Sequence, residues 1–169
     1  DGYNSHLPSV TDFPLAQAVD AALNEDFGWD QGVARIWNIL SNDFLYEDPM
    51  KNVIFLDNHD MDRIYERVRK DESHFKMAYT FLLTTRGVPQ VYYGTELMMG
   101  HEYRGGDDEY RRPNMPGGWD GDSRSVFTKE GRTDKENEIL DFARQAGMTE
   151  SEITPLLQGE MKQKFLAKL

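Results

Sequence analysis

The stretch Val53-Ile54-Phe55-Leu56-Asp57-Asn58-His59-Asp60 constrains the fold more than any other part of the chain. Four apolar residues, mostly β-branched or aromatic, run directly into four polar ones. The apolar half reads as a strand buried on both faces, as in parallel sheets covered by helices. The polar half then lies just past the strand's carboxyl end, where parallel α/β architectures bind ligands and do chemistry. With Lys51 and Asn52 before it and a helix-like stretch after it, the run forms one βα unit. That unit delivers a histidine and a carboxylate to a mouth.

Elements on either side continue the pattern. Leu7 to Leu15 reads as a short extended segment, with Pro8 and Pro14 keeping its ends from helix. Ala16 to Leu23 reads as a helix, followed by a turn-rich link holding Phe27 and Trp29. A second helix is predicted from Val33 to Leu45, with Ile36, Trp37, Leu40 and Phe44 on its inner side, ended by Glu47-Asp48-Pro49. After Asp60 a charged stretch leads to a helix from His74 to Thr85, capped by Ser73 and stopped by Gly87 and Pro89. Val88 to Tyr93 is the next strand, with Gly94 allowing a sharp turn. From Thr95 to about Asp134 no period persists, and a loop of that length in a compact domain is functional or mobile. Lys135 to Gln145 closes the pattern as a helix with Ile139, Leu140, Phe142 and Ala143 inward. Thr149 and Glu152 form a capping box for a further short segment. Successive βα units imply a parallel sheet, and three strands cannot close a barrel or hide their own edges. The expectation is a sheet that continues in residues outside this sequence.

A chain of 169 residues is long enough for one real core, and a formal charge of −11 argues against nucleic acid and an anionic membrane surface as partners. There are no cysteines, hence no disulfide framework and no thiolate metal site. No run approaches the ~20 apolar residues of a membrane span. The amino terminus lacks a start methionine and a basic-then-apolar signal, and reads as beginning in mid-protein.

The residues able to do chemistry each carry a duller alternative. Asp60 can stabilise developing positive charge or ligate a metal; it can also form a salt bridge to Arg63 or cap a helix. His59 can hydrogen-bond vicinal hydroxyls or be a buried, backbone-satisfied histidine. Asn58 braces the turn. Asp107 and Arg111, four apart, can converge on a polar substrate or form a solvated charge cluster. Trp119 and Tyr103 can stack on sugar faces or plug a core edge. Tyr92, Tyr93 and Glu96 read as architecture of the mouth. The four histidines have no ligand-like spacing, and neither a phosphate-binding glycine loop nor Gly-x-Ser-x-Gly occurs, so no metal site is expected. A His59-Asp60 metal pair in a phosphohydrolase would need a helix, where Val53 to Leu56 reads as strand.

Three blocks in order resemble the α-amylase family, glycoside hydrolase family 13. Thr11-Asp12-Phe13-Pro14-Leu15 is similar to its sixth barrel strand, Phe55 to Asp60 to its seventh, and Gly87 to Glu96 to its eighth. Asp107 to Pro116, with Arg111-Arg112-Pro113 and Met115-Pro116, resembles the following loop in the neopullulanase and cyclomaltodextrinase-like branch. The resemblance implies a partial (β/α)8 TIM barrel holding strands six to eight, incomplete without its upstream half. Residues 1–148 would be the carboxyl-terminal portion of the catalytic barrel and 149–169 a helical tail. It also implies a retaining α-glucan hydrolase cleaving α-1,4 bonds, with α-1,6 bonds as an extension, and with a nucleophilic Asp after strand four and an acid/base Glu after strand five, both outside this sequence. Asp60 would be the third carboxylate of that set and His59 its neighbour, with Asp107, Arg111 and Arg63 binding substrate. Hydrogen bonds to sugar hydroxyls that strengthen as an oxocarbenium develops lower the barrier preferentially. The partner so implied is an α-glucan oligosaccharide or polysaccharide. The segment needs no cofactor, calcium and a homodimer remain open for the parent, and a periplasmic or extracellular location is favoured over a cytoplasmic one. The chain departs from the family at Gln145-Ala146-Gly147-Met148, where the last helix turns away, and the usual β-sandwich domain does not follow. The alternative from another class is a carbohydrate-binding remnant without catalysis.

Overall fold

The computed structural model describes residues 7, 9–101 and 108–146. At its centre β1 (Val53–Phe55) pairs in parallel with β2 (Val88–Gln90), in the register Val53 with Val88, Ile54 with Pro89 and Phe55 with Gln90. On the other side of β1, Thr11 makes a single parallel bridge to Val53. Asp12 N–H donates to the Val53 carbonyl at 2.8 Å, and Val53 N–H to the Val10 carbonyl at 2.9 Å. Three parallel extended segments therefore lie side by side with β1 in the middle. Every residue of β1 is buried, which is why its sequence is apolar without alternation.

The first helix begins earlier than its sequence suggests. Helix α1 spans Phe13–Asn24, so the extended reading of Leu7 to Leu15 is corrected from Phe13 onward. Pro14 sits in the first turn, where its missing N–H costs nothing, and the Asp12 carboxylate caps the helix by accepting the Leu15 N–H at 3.0 Å. The buried face is Leu15, Ala16, Ala18 and Val19. The second oxygen of Asp12 accepts from Arg86 at 2.7 Å, while Asp43 accepts from the same guanidinium through Nε at 2.8 Å. One arginine thus ties three segments of chain together.

Helix α2 is short, Ala34–Leu40, and a 3-10 turn at Asp43–Leu45 replaces the continuation expected to Leu45. Ile36, Ile39 and Leu40 rest against the core, whereas Trp37 and Phe44, expected inward, are exposed. After β1 come α3 (Ile64–Arg67) and α4 (Glu72–Thr84). Asp71 caps α4 with bonds from Ser73 and His74 N–H, two residues ahead of the Ser73 cap read from sequence. Helix α4 supplies Phe75, Ala78, Tyr79 and Leu82 to the core, with the Phe75 ring stacked on Tyr79 and edge-on to Tyr65. Helix α5 (Asp134–Gln145) starts at a capping box in which Thr133 and Glu136 satisfy each other's backbone N–H. It packs Leu140 with Leu97 and a fully buried Val126 in a second small cluster. The Thr149–Glu152 box and the tail from 149 lie outside the described residues.

Candidate active site

The four polar residues after β1 divide into two layers. Asp57 is buried, and its carboxylate accepts the Ile64 N–H at 2.9 Å and the Thr95 hydroxyl at 2.8 Å. It therefore fastens the turn after β1 both to the start of α3 and to the chain leaving β2. Burial pushes its carboxyl above the usual range, against the hydrogen bonds from Ile64 and Thr95. Asn58 then accepts the Asp60 N–H through its side-chain oxygen at 2.9 Å, closing the local turn as its sequence suggests. The consequence is that His59 and Asp60 stand out of the fold, with side chains 63% and 64% exposed.

His59 Nε2 lies 3.2 Å from Asp60 Oδ2. The other carboxylate oxygen faces Arg112, whose NH2 group is at 3.3 Å, and the Arg112 Nε donates to the His59 carbonyl at 2.9 Å. Arg111 donates weakly to the Asp60 carbonyl at 3.4 Å, but its stronger bond runs from Nε to Asp62 Oδ1 at 2.8 Å. Burial alone would raise the Asp62 carboxyl; the Arg111 hydrogen bond and charge, with His101 and Tyr110 nearby, hold it below the usual range instead. Loop residues 108–112 are thus drawn onto the turn that carries the His59-Asp60 pair.

Arg63 is where the structure corrects the sequence reading. Its side chain is fully buried, donating from Nε to the Arg111 carbonyl at 3.2 Å and from NH1 to the Tyr93 carbonyl at 2.5 Å. The guanidinium lies 4.2 Å from the Tyr92 ring centroid and 4.6 Å from that of Tyr93. A side chain with no exposed face offers nothing to a substrate, so Arg63 is a brace rather than a binding residue. Nor is it the partner of Asp60, whose carboxylate faces His59 and Arg112 among the described residues. Glu96 shares that interior. It is fully buried, neither carboxylate oxygen has a hydrogen-bond partner among the described residues, and burial pushes its pKa up to about 8 despite the backbone groups of Glu96 and Gly94 and the Arg63 charge.

Of the other sequence candidates, Trp119 is exposed, on a turn where Asp122 accepts the N–H groups of Gly117 and Trp119. Asp107 and Tyr103 lie outside the described residues. Arg112 was not singled out as a site residue, and no local signal distinguishes it from Arg111; only the fold shows which of two adjacent arginines reaches Asp60. Among the described residues, no three His, Asp or Glu side chains cluster to hold a metal ion.

The chain as a whole has relatives among known proteins. Residues 6–160 match the alpha amylase catalytic domain. The chain belongs to the alpha-amylase family. A beta/alpha-amylase from Paenibacillus polymyxa is 35% identical over 120 residues, which is 67% of this chain and 9% of that protein. A cyclomaltodextrin glucanotransferase from Thermoanaerobacterium thermosulfurigenes is 35% identical over 107 residues, covering 63% of this chain and 14% of the relative. Among solved structures, a cyclomaltodextrin glucanotransferase with a three-domain ABC distribution aligns with a TM-score of 0.59 at 31% identity, over 84% of this chain and 26% of that one. An alpha-amylase from Geobacillus thermoleovorans aligns with a TM-score of 0.57 at 24% identity, over 84% of this chain and 29% of that one, and shares the fold. This chain thus spans about a tenth of the curated relatives' length and about a quarter of the solved ones'. Its parallel β1–β2 pair with packed helices is part of the barrel architecture of that family.

Proposed function

We propose that these residues form the sixth-to-eighth-strand portion of the catalytic barrel in a retaining enzyme that acts on α-glucans, with Asp60 as its transition-state-stabilising carboxylate. The observation that carries the reading is the exposed His59-Asp60 pair at the carboxyl end of the buried parallel strand β1, on a turn fixed from below by Asp57. Such a carboxylate meets the hydroxyls of a sugar whose ring is becoming oxocarbenium-like, and binds that species more tightly than the ground state. His59 adds a hydrogen-bonding ring beside the carboxylate. The nucleophile and the acid/base are supplied by chain outside these residues, as the resemblance implies.

α-1,4-Glucan hydrolysis, extending to α-1,6 bonds, is the reaction the resemblance favours, by double displacement. The neopullulanase-like assignment rests on the motif from Asp107 to Pro116, whereas the relatives named above are amylases and glucanotransferases, so transfer to a glucan acceptor is the neighbouring outcome on the same site. The decisive experiment replaces Asp60 with Asn in the full-length enzyme containing this segment. We expect kcat on maltooligosaccharides to fall by about two orders of magnitude or more, with a smaller change in KM. An unchanged kcat would remove Asp60 from the role.

A further inference from the structure

We propose that Arg112 is a positioning residue that sets the orientation of the His59-Asp60 pair, an inference resting on the reading of Asp60 above. The guanidinium grips the pair at two points of different kind. Its Nε–H donates to the His59 carbonyl at 2.9 Å, which fixes the peptide, and its NH2 group reaches Asp60 Oδ1 at 3.3 Å, which fixes the carboxylate. The opposite oxygen, Oδ2, faces His59 Nε2 at 3.2 Å. Both carboxylate oxygens therefore have a cationic or hydrogen-bonding neighbour, one on the turn after β1 and one on the loop after β2.

The grip is useful only if its own base is rigid. The carbonyl of the preceding residue, Arg111, accepts from Arg63 at 3.2 Å, and Arg63 is fully buried beside the Tyr92 and Tyr93 rings. Arg63 itself follows β1 on the same loop as Asp60. The chain after β1 thus reaches up to hold residue 111, and residue 112 reaches back down to hold residues 59 and 60. A planar, fork-shaped donor holds angle as well as distance, which a lysine ammonium does not. Small misplacements of a reacting group are costly in rate.

Because the Arg112 side chain is 43% exposed, replacing it leaves the core untouched. The test uses the full-length enzyme containing this segment and a fluorogenic maltooligosaccharide. Arg112→Met is expected to lower kcat about tenfold with KM within about twofold, and Arg112→Lys to recover only part of that loss. In an Asp60→Ala background, Arg112→Met is expected to add less than about a twofold loss, because the group it orients is gone. If Asp60→Ala lowers kcat but Arg112→Met does not, the inference falls while the reading of Asp60 stands. An effect confined to KM would make Arg112 a direct glucan contact, and an undiminished loss in the Asp60→Ala background would make it act independently; either overturns the assignment. So would failure of both Arg112 variants to fold, which would make the residue a structural clasp. A wild-type kcat in Asp60→Ala removes the reading and the inference together.

Discussion

The ends of β1 and β2 bury polar and charged side chains, whereas the residues from 25 to 50 leave large apolar ones in water. Around the strand ends, Asp57, Arg63, Thr95 and Glu96 are all buried, at 2% exposure or less. Across the other region, Phe27, Trp29, Trp37, Phe44 and Leu45 lie open, and α2 buries no residue at all. Polar groups are inside where apolar ones are normally found, and aromatics are outside. The interior is tolerable because most of its charges find partners: Asp57 holds two donors, and Arg63 finds two carbonyls and two rings. The outer face has no such partners among the described residues, although its frame is fixed by the Glu25–Arg35 pair and by Asp43 on Arg86. Position in the fold, not residue type, decides which side chains hold this chain together.

The sharpest way to break the contrast is to cut a large ring from the packed core and another from the open face. Phe75 has no exposed surface and lies between Tyr65 and Tyr79, so Phe75→Ala should cost about 3–5 kcal/mol of unfolding free energy in urea titration. A cost below about 1 kcal/mol would mean that the α4 face is not the core.

A smaller effect tests the polar interior. Glu96 loses its proton near 4.5 in an unfolded chain but only at about 8 in the fold. Between those values the unfolded state releases the proton first, so stability falls as pH rises through the window and levels off above it. Glu96→Gln removes that loss. Its advantage over the native protein should be small near pH 5 and grow toward pH 8, reaching on the order of a few kcal/mol in thermal or urea melts. An advantage that stays flat with pH would show Glu96 ionised in the fold, paired with Arg63 across the interior.

The parts of this arrangement legible in the sequence are those where one residue's neighbours in the chain are also its neighbours in space. Val53 to Phe55 reads as a buried strand because three adjacent apolar residues need no distant partner to explain them. Asn58 reads as a turn brace because its partner is Asp60. The start of α1 was misplaced because Pro14 is a breaker inside a helix and a good first-turn residue at its beginning, and only the Asp12 cap tells the two apart. Arg63 was misread for a different reason. Its partners are the Tyr93 and Arg111 carbonyls, 30 and 48 residues away, so nothing local separates it from a ligand-facing arginine. Arg112 is illegible on the same ground, its contacts lying more than 50 residues back in the chain. Likewise the inward reading of Trp37 and Phe44 followed a sound helical spacing, but α2 ends at Leu40 and its apolar side is wider than the core it meets.

Trp37 gives the smallest effect and the finest test. Its side chain is 74% exposed on a helix with no buried residue, so Trp37→Ala in this chain removes little that is out of water. The expected cost in urea titration is within about 0.5 kcal/mol, a large ring lost for almost nothing beside Phe75. Exposure has a second consequence: the indole should be open to aqueous quenchers, and iodide or acrylamide should quench a Trp37-only variant, with Trp29 and Trp119 replaced by Phe, nearly as well as free tryptophan. A blue-shifted, poorly quenched emission together with a cost above about 2 kcal/mol would mean that the 25–50 face is covered after all. The two regions would then differ only in what covers them: for the strand ends, the chain's own carbonyls and rings; for α2, a surface brought to it from elsewhere.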